Sequence, residues 1–301
     1  MTLAAAAAAG VTSAAPARVR DCCPRPGGCR TRPPGAQAGA PRGCVIGSYD
    51  GDFEHIAGQL RNVNGPGFAM ARYADGERQL AYGEGVQNID GWVLQTGAHP
   101  KLQAALLASL RGHFGEDYYY GFAGAEIDEP GTSFFLANTE QTCGFVTFAN
   151  LFVNSHIPKT AALFDELAVL YRNRTVLVSN GPAQAKVRAN SAIGKEVVDV
   201  LSLDPLGVLS FEDDEYSAGV IARARALASK YDGHLFVVSG GPLAKILIAQ
   251  MWDANCRNRY IDFGSSVDNV LAAIRTRDYP ASPDADYGLT RSGRGFVAPM
   301  A

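Results

Sequence analysis

From Phe68 onward the chain repeats one pattern: a short run rich in β-branched and aromatic residues, then a longer stretch whose apolar residues recur three and four apart. Strands separated by helix-length segments cannot close as hairpins. They must be joined by crossovers, which leads to a mostly parallel sheet with helices on its faces. Residues 67–73, 118–122, 145–153, 175–179, 197–201, 234–239 and 259–263 read as strands. Residues 99–112, 160–171, 214–230, 242–253 and 267–275 read as helices, the fourth of them opening on Pro242.

The expected fold class is therefore α/β: a Rossmann-like, mostly parallel sheet flanked by helices, with a disordered N-terminal tail. Of 301 residues, 47% are apolar and 19% charged, which is ordinary for a chain that buries a sizeable core. The first 45 or so residues differ from the rest. They hold an Ala run from Ala4 to Ala9, prolines between Pro16 and Pro41, arginines at 18, 20, 25, 30, 32 and 42, and one acid, Asp21. Such a segment buries too little apolar surface to offset its ordering entropy. Residues 1–45 are thus expected to be a disordered or targeting tail, 46–280 the α/β domain, and 281–301 a polar, Gly-rich C-terminal tail. An acid-poor, Arg-rich tail also fits an organellar transit peptide, so the expected location is cytoplasmic, or organellar if the tail is a transit signal.

Several function classes drop out. A formal net charge of -3 leaves no basic excess to draw the domain to a phosphate backbone, so nucleic acid is not an expected partner. No stretch reaches the roughly 18 to 20 apolar residues of a membrane span. Outside the tail, with its Cys22, Cys23, Cys29 and Cys44, only Cys143 and Cys256 remain, too few for a disulfide framework, and a reducing compartment is the default. The histidines are scattered without metal-ligand spacing, and there is no G-x-S-x-G elbow.

In open α/β sheets ligands sit beyond the carboxyl ends of the strands. At the first such end, Arg72-Tyr73-Ala74-Asp75-Gly76-Glu77 places two acids around a glycine. In an extended turn both carboxylates face one side and can hold Mn²⁺ or Mg²⁺, which would neutralise a departing diphosphate; a plain surface turn is the alternative. At another, Ser239-Gly240-Gly241-Pro242-Leu243-Ala244-Lys245 runs from a strand through two glycines into a helix. Close backbone approach and free N–H groups there favour an anion, and a tight turn needing Gly for geometry is the other reading. Asp262, closing the last strand, can hold a ribose hydroxyl, act as a base or cap the next helix. Asn180, after the fourth strand, sits in a stretch of small residues that would wall the same cleft. Tyr118-Tyr119-Tyr120-Gly121-Phe122, followed by Glu126, Asp128 and Glu129, is either a stacking wall beside general-base candidates or a strand core.

Together these segments resemble the GT-D-type glycosyltransferases. That family carries an Arg-Phe-Gly-Asp-Gly-Glu-like segment with a D-x-E motif, then Leu-Gly-Pro-Thr-Ala-Lys and Ile-Asp-Ile-Gly elements. The corresponding residues here are Arg72 to Glu77, Ser239 to Lys245 and Tyr260-Ile261-Asp262-Phe263-Gly264. Tyr73 and Ala74 stand for the usual Phe and Gly, Gly241 precedes Pro242, and Ser265 takes the place of a frequent His. The resemblance implies a nucleotide-sugar donor, of UDP type, and a hydroxyl acceptor on a glycan. It also implies Mn²⁺ or Mg²⁺ held by Asp75 and Glu77, Asp262 as a third catalytic acid, and donor contacts from Arg72, Asn180, Ser239, Gly240 and Gly241. The rival expectation is a nucleotide-binding Rossmann-like protein that is non-catalytic or has lost turnover. Oligomeric state cannot be read from the sequence.

Overall fold

The computed structural model describes residues 49–87, 93–112, 117–123, 125–139, 145–153, 156–180 and 191–271; the side chains of Asp75, residues 125–129, Phe145 and Asn269 lie outside that description. Both expected tails lie outside it as well.

The nine strands, in chain order, are β1 (Phe68–Tyr73), β2 (Val86–Gln87), β3 (Val93–Leu94), β4 (Tyr118–Phe122), β5 (Phe145–Phe148), β6 (Thr175–Ser179), β7 (Val197–Ser202), β8 (Leu235–Ser239) and β9 (Arg259–Asp262). Seven form one sheet in the order β5-β4-β1-β9-β8-β6-β7, and each neighbouring pair is parallel. The other two make a small antiparallel ribbon, with Val86 opposite Leu94. The seven sheet strands are those expected from the apolar runs. In the central ones nearly every residue is buried, because both faces of the sheet are covered.

Besides single turns at Ala192–Lys195 and Gly207–Ser210, the helices among the described residues are α1 (Tyr49–Arg61), α2 (Asp75–Ala81), α3 (Pro100–Arg111), α4 (Ala125–Asn138), α5 (Ile157–Leu170), α6 (Asp214–Lys230), α7 (Pro242–Ala254) and α8 (Ser266–Leu271). Alternation along the strands divides the core in two. Ala69, Ala71, Tyr73, Tyr118, Tyr120, Val176, Phe236 and Val238 pack with α3, α6 and α7 on one face. Phe68, Met70, Tyr119, Leu177, Val237 and Ile261 pack with α1, α5 and α8 on the other. The outer helices show the matching stripe, which in α1 is Phe53, Ile56, Ala57 and Leu60, while α7 is buried on nearly every side. Crossovers that step toward β5 or back from β7 use the first face, while α5, which carries the chain from β5 across to β6, uses the second. One handedness of crossover requires that division.

Several expectations are corrected. The strand expected at 145–153 stops at Phe148, because Leu151 N–H and Val153 N–H fold back onto Phe148 O and Asn150 O in successive turns. Residues 75–77 are not an extended turn but the first turn of α2. The five aromatic-run residues are buried throughout, so Tyr118 to Phe122 is strand core and not a stacking platform. Glu126, Asp128 and Glu129 fall in α4, and their side chains lie outside the described residues. Cys256 is disulfide-bonded, where a reducing compartment was the default expectation.

Candidate functional site

The sheet itself marks where a ligand belongs. After β1 the chain turns to α3 on the first face, and after β8 it turns to α7 on that same face. After β9, which lies between them, it turns to α8 on the opposite face. Connections that diverge from adjacent strands open a crevice at their carboxyl ends. Arg72, Glu77, Ser239, Gly241 and Asp262 all lie at these ends, and the sequence-derived candidates are therefore brought together.

β1 delivers Arg72 on one side and Tyr73 on the other. The Tyr73 hydroxyl meets Ser109 Oγ at 2.9 Å in α3, which gives this buried phenol a partner in the core. Ala74 is the N-cap of α2 in an extended conformation, φ -109°, so a glycine is not required there. Glu77 sits three residues on and its Oε2 accepts from Ala74 N–H at 2.9 Å, the return half of a capping box. Residues two apart in a helix are about 200° apart around the axis, so positions 75 and 77 do not share a side. The Asp75 side chain itself lies outside the described residues.

At the centre of the cluster is Lys245, from the first turn of α7. Its Nζ lies 2.8 Å from Glu77 Oε1, 2.9 Å from Asp262 Oδ2 and 3.0 Å from Gly241 O. The Asp262 contact is an ion pair too oblique for a hydrogen bond, since Oδ2 has no hydrogen-bond partner. Lys245, Glu77 and Asp262 are 5%, 6% and 1% exposed. Burial pushes the ammonium pKa down, but Asp262 and Glu77 outweigh it and hold the pKa above the ordinary lysine value, so Lys245 is charged. Removing one partner of such a buried pair costs about 3–5 kcal/mol, against about 0–1 for the exposed pairs such as Arg225 with Asp253.

Asp262 Oδ1 accepts from Gly264 N–H at 3.0 Å, turning the chain toward α8, and faces Arg72 Nη1 at 4.0 Å. Arg72 Nε donates to Ala149 O just past β5, and its guanidinium lies against Gly264, which has φ +55° and leaves no room for a Cβ. Arg72 so spans from β5 to β9, half-buried.

The Gly-Gly corner is only partly as expected. Gly240 is close-packed, since a Cβ there would lie 2.7 Å from Leu203 Cδ1. Gly241 has φ 53° and ψ -138° and is exposed. Leu243 N–H and Ala244 N–H turn back to Gly240 O and Gly241 O, and Pro242 has no N–H, so the helix start offers less to an anion than its position suggests. Gly241 N–H has no partner among the described residues. Ser239 is buried, and Asn180 N–H donates to its carbonyl at 3.3 Å, which sets Asn180 at the rim beside β8.

Sequence reasoning missed the neighbouring residues Tyr49 and His156, at the far end of Arg72. Tyr49 Oη donates to Asn150 O at 2.6 Å, and its ring meets the His156 ring edge-on at 4.2 Å. Burial raises the Tyr49 pKa, with Arg72 opposing, so it is a neutral phenol. Burial, then Lys159, pushes His156 down to about 4 against the opposing Asp50 carboxylate, so its imidazole is neutral at neutral pH. No spacing rule would have flagged either residue.

Mn²⁺ or Mg²⁺ does not fit between Glu77 and Asp262; Asp75, the other acid expected to hold it, has its side chain outside the described residues. Among the described residues no three His, Cys, Asp or Glu side chains converge to hold an ion. Glu77 has Ala74 N–H on one oxygen and Lys245 on the other, and a dication about 4 Å from that ammonium would be repelled by about 8 kcal/mol at an effective dielectric near 20.

No protein-family model matches the chain, and no curated protein matches it. Two solved structures are similar to it. One, described as a highly conserved domain of unknown function 1792 with a distinct glycosyltransferase fold, is 16% identical over 75% of this chain and 79% of that one, with a TM-score of 0.44. The other, a selenomethionine-substituted structure of domain of unknown function 1792, is 15% identical over 85% of this chain and 91% of that one, with a TM-score of 0.47. Among the described residues no helix is long and apolar enough to cross a membrane.

Proposed function

We propose that the chain is a glycosyltransferase that takes a nucleotide-sugar donor, of UDP type, into the crevice at the ends of β1, β9 and β8 and passes the sugar to a hydroxyl of a glycan acceptor. The observation that carries this reading is the convergence of Arg72, Glu77, Lys245 and Asp262 at the point where the connections after β1 and β9 diverge. These four come from three separated segments, in the order of the motifs that resemble GT-D enzymes. Arg72 is the cation whose guanidinium can pair in a fork with a diphosphate. The exposed Gly241 N–H adds an uncharged donor next to it.

One observation favours the second reading, a nucleotide binder without turnover: Glu77 Oε1 and Asp262 Oδ2 both face the Lys245 ammonium and their other oxygens accept from backbone N–H groups, which leaves neither placed as a general base. Titrating UDP into the full chain and then following UDP release from a panel of UDP-sugars with glycan acceptors separates the outcomes. Arg72→Ala is expected to weaken UDP about tenfold or more, the loss of one charge-assisted contact. Binding without release from any donor supports the second reading, and no UDP binding at all refutes both.

A further inference from the structure

We infer that Glu77 and Asp262 hold a built-in cation, the Lys245 ammonium, in the place a metal ion between them would take, and that donor binding here is independent of a divalent ion. The inference about donor binding rests on the nucleotide-sugar reading above; the assignment of Lys245 does not. Each of the four carboxylate oxygens of Glu77 and Asp262 already faces a donor or a positive charge. Glu77 Oε2 takes Ala74 N–H, Asp262 Oδ1 takes Gly264 N–H, and Glu77 Oε1 and Asp262 Oδ2 stand 2.8 and 2.9 Å from Lys245 Nζ. The third direction of the ammonium is used by Gly241 O at 3.0 Å. A metal ion entering between the two acids would have to expel a lysine that is 5% exposed, leaving it buried without partners.

The same contacts give Lys245 its work. It ties the β1–α2 corner, through Glu77, to the end of β9, through Asp262, and to the β8–α7 corner, through Gly241 O. It is a positioning residue, and the charge left facing the crevice is that of Arg72. Glu77 is likewise a positioning residue that acts through Lys245.

Three measurements on the full chain test this. Calorimetric titration with Mn²⁺ or Mg²⁺ alone should show no saturable site below the millimolar range. UDP should bind with the same affinity in EDTA as in Mn²⁺. Melting of Glu77→Gln, Lys245→Met and the double variant should give a double loss clearly smaller than the sum of the single losses, because the second change removes a partner that the first has already stranded. A saturable micromolar metal site that Glu77→Gln abolishes, or additive melting losses, would overturn the assignment. If Lys245→Met does not fold, Lys245→Arg takes its place in the cycle, and the titration of the parent needs no variant. Absence of UDP binding in both buffers would refute the nucleotide-sugar reading, while the metal titration and the melting cycle would still decide what Glu77 holds.

Discussion

Gly264 offers a sharp test of whether Arg72 meets the ligand. Its φ of +55° alone makes alanine unfavourable, by about 1–2 kcal/mol for a left-handed residue with a Cβ. In addition, an added Cβ would fall on the Arg72 guanidinium, 2.9 Å from Cζ and 3.4 Å from Nη2, and the arginine would have to leave its place between Ala149 O and Asp262. Gly264→Ala should therefore do two separable things. It should lower the melting temperature by about 2–8 °C, the strain converted for a domain of roughly 200 residues. It should also weaken UDP roughly ten- to a hundredfold, the worth of a charge-assisted contact of about 1.5–3 kcal/mol. Gly233 provides the control: its φ is +65° and nothing lies within 4 Å of an added Cβ, so Gly233→Ala should cost the backbone strain alone and no affinity. UDP is titrated by calorimetry well below each variant's melting temperature, so that affinity refers to folded molecules. In an Arg72→Ala background, Gly264→Ala should cost no further affinity. If the two losses add, or if Gly264→Ala binds UDP as the parent does, Arg72 is not the route by which this glycine matters.

Two further outcomes are expected. Gly241 combines φ 53° with ψ -138°, a region nearly closed to other residues, so Gly241→Val should cost about 1–3 kcal/mol in urea unfolding and also weaken UDP per folded molecule; unchanged affinity would remove this corner from the donor site. His156 has a folded pKa of about 4 against 6.5 unfolded, so between those values the unfolded chain binds the extra proton and stability falls as pH drops. The full shift corresponds to about 3 kcal/mol, and solvent screening reduces it to about 2. A parent and a His156→Gln variant with the same pH slope in urea unfolding would show that this imidazole titrates normally.

The seven sheet strands were legible because a strand covered on both faces is an almost unbroken apolar run, as in Val176-Leu177-Val178 or Phe236-Val237-Val238. Helix α7 was equally plain, opening on Pro242. Helices α1, α2 and α4 were not read from the sequence. In α2, seven residues are too few for a stripe to repeat, and Asp75-Gly76 carries the composition of a turn; with Ala74 as N-cap, only Glu77 remained of a capping signal. In α4, Pro130 and Gly131 interrupt the pattern from inside the helix. The convergence of Arg72, Glu77 and Asp262 could be anticipated from the rule for strand ends, but the hub between them could not, because Lys245 finds its partners far away in sequence. One signal was there to use: a lone lysine in the first turn of an otherwise apolar helix must be buried against a carboxylate. Tyr49 and His156 had no such mark, since their meeting depends on the turns that end β5.

The order of the sheet also governs when the crevice can exist. Its middle strand, β9, is the last that the described chain supplies to the sheet and its neighbour β1 the first, with Phe68 beside Arg259 and Met70 beside Ile261. Until β9 emerges from the ribosome, β1 keeps one open edge and β8 another, both apolar and both able to pair wrongly. Insertion of this last strand closes the longest loop in the molecule, joins the two half-sheets and sets Asp262 against Lys245 in a single event. A chain that stops short of residue 259 would lack both the centre of its sheet and the floor of its crevice, so no part of the site can be assembled ahead of the whole.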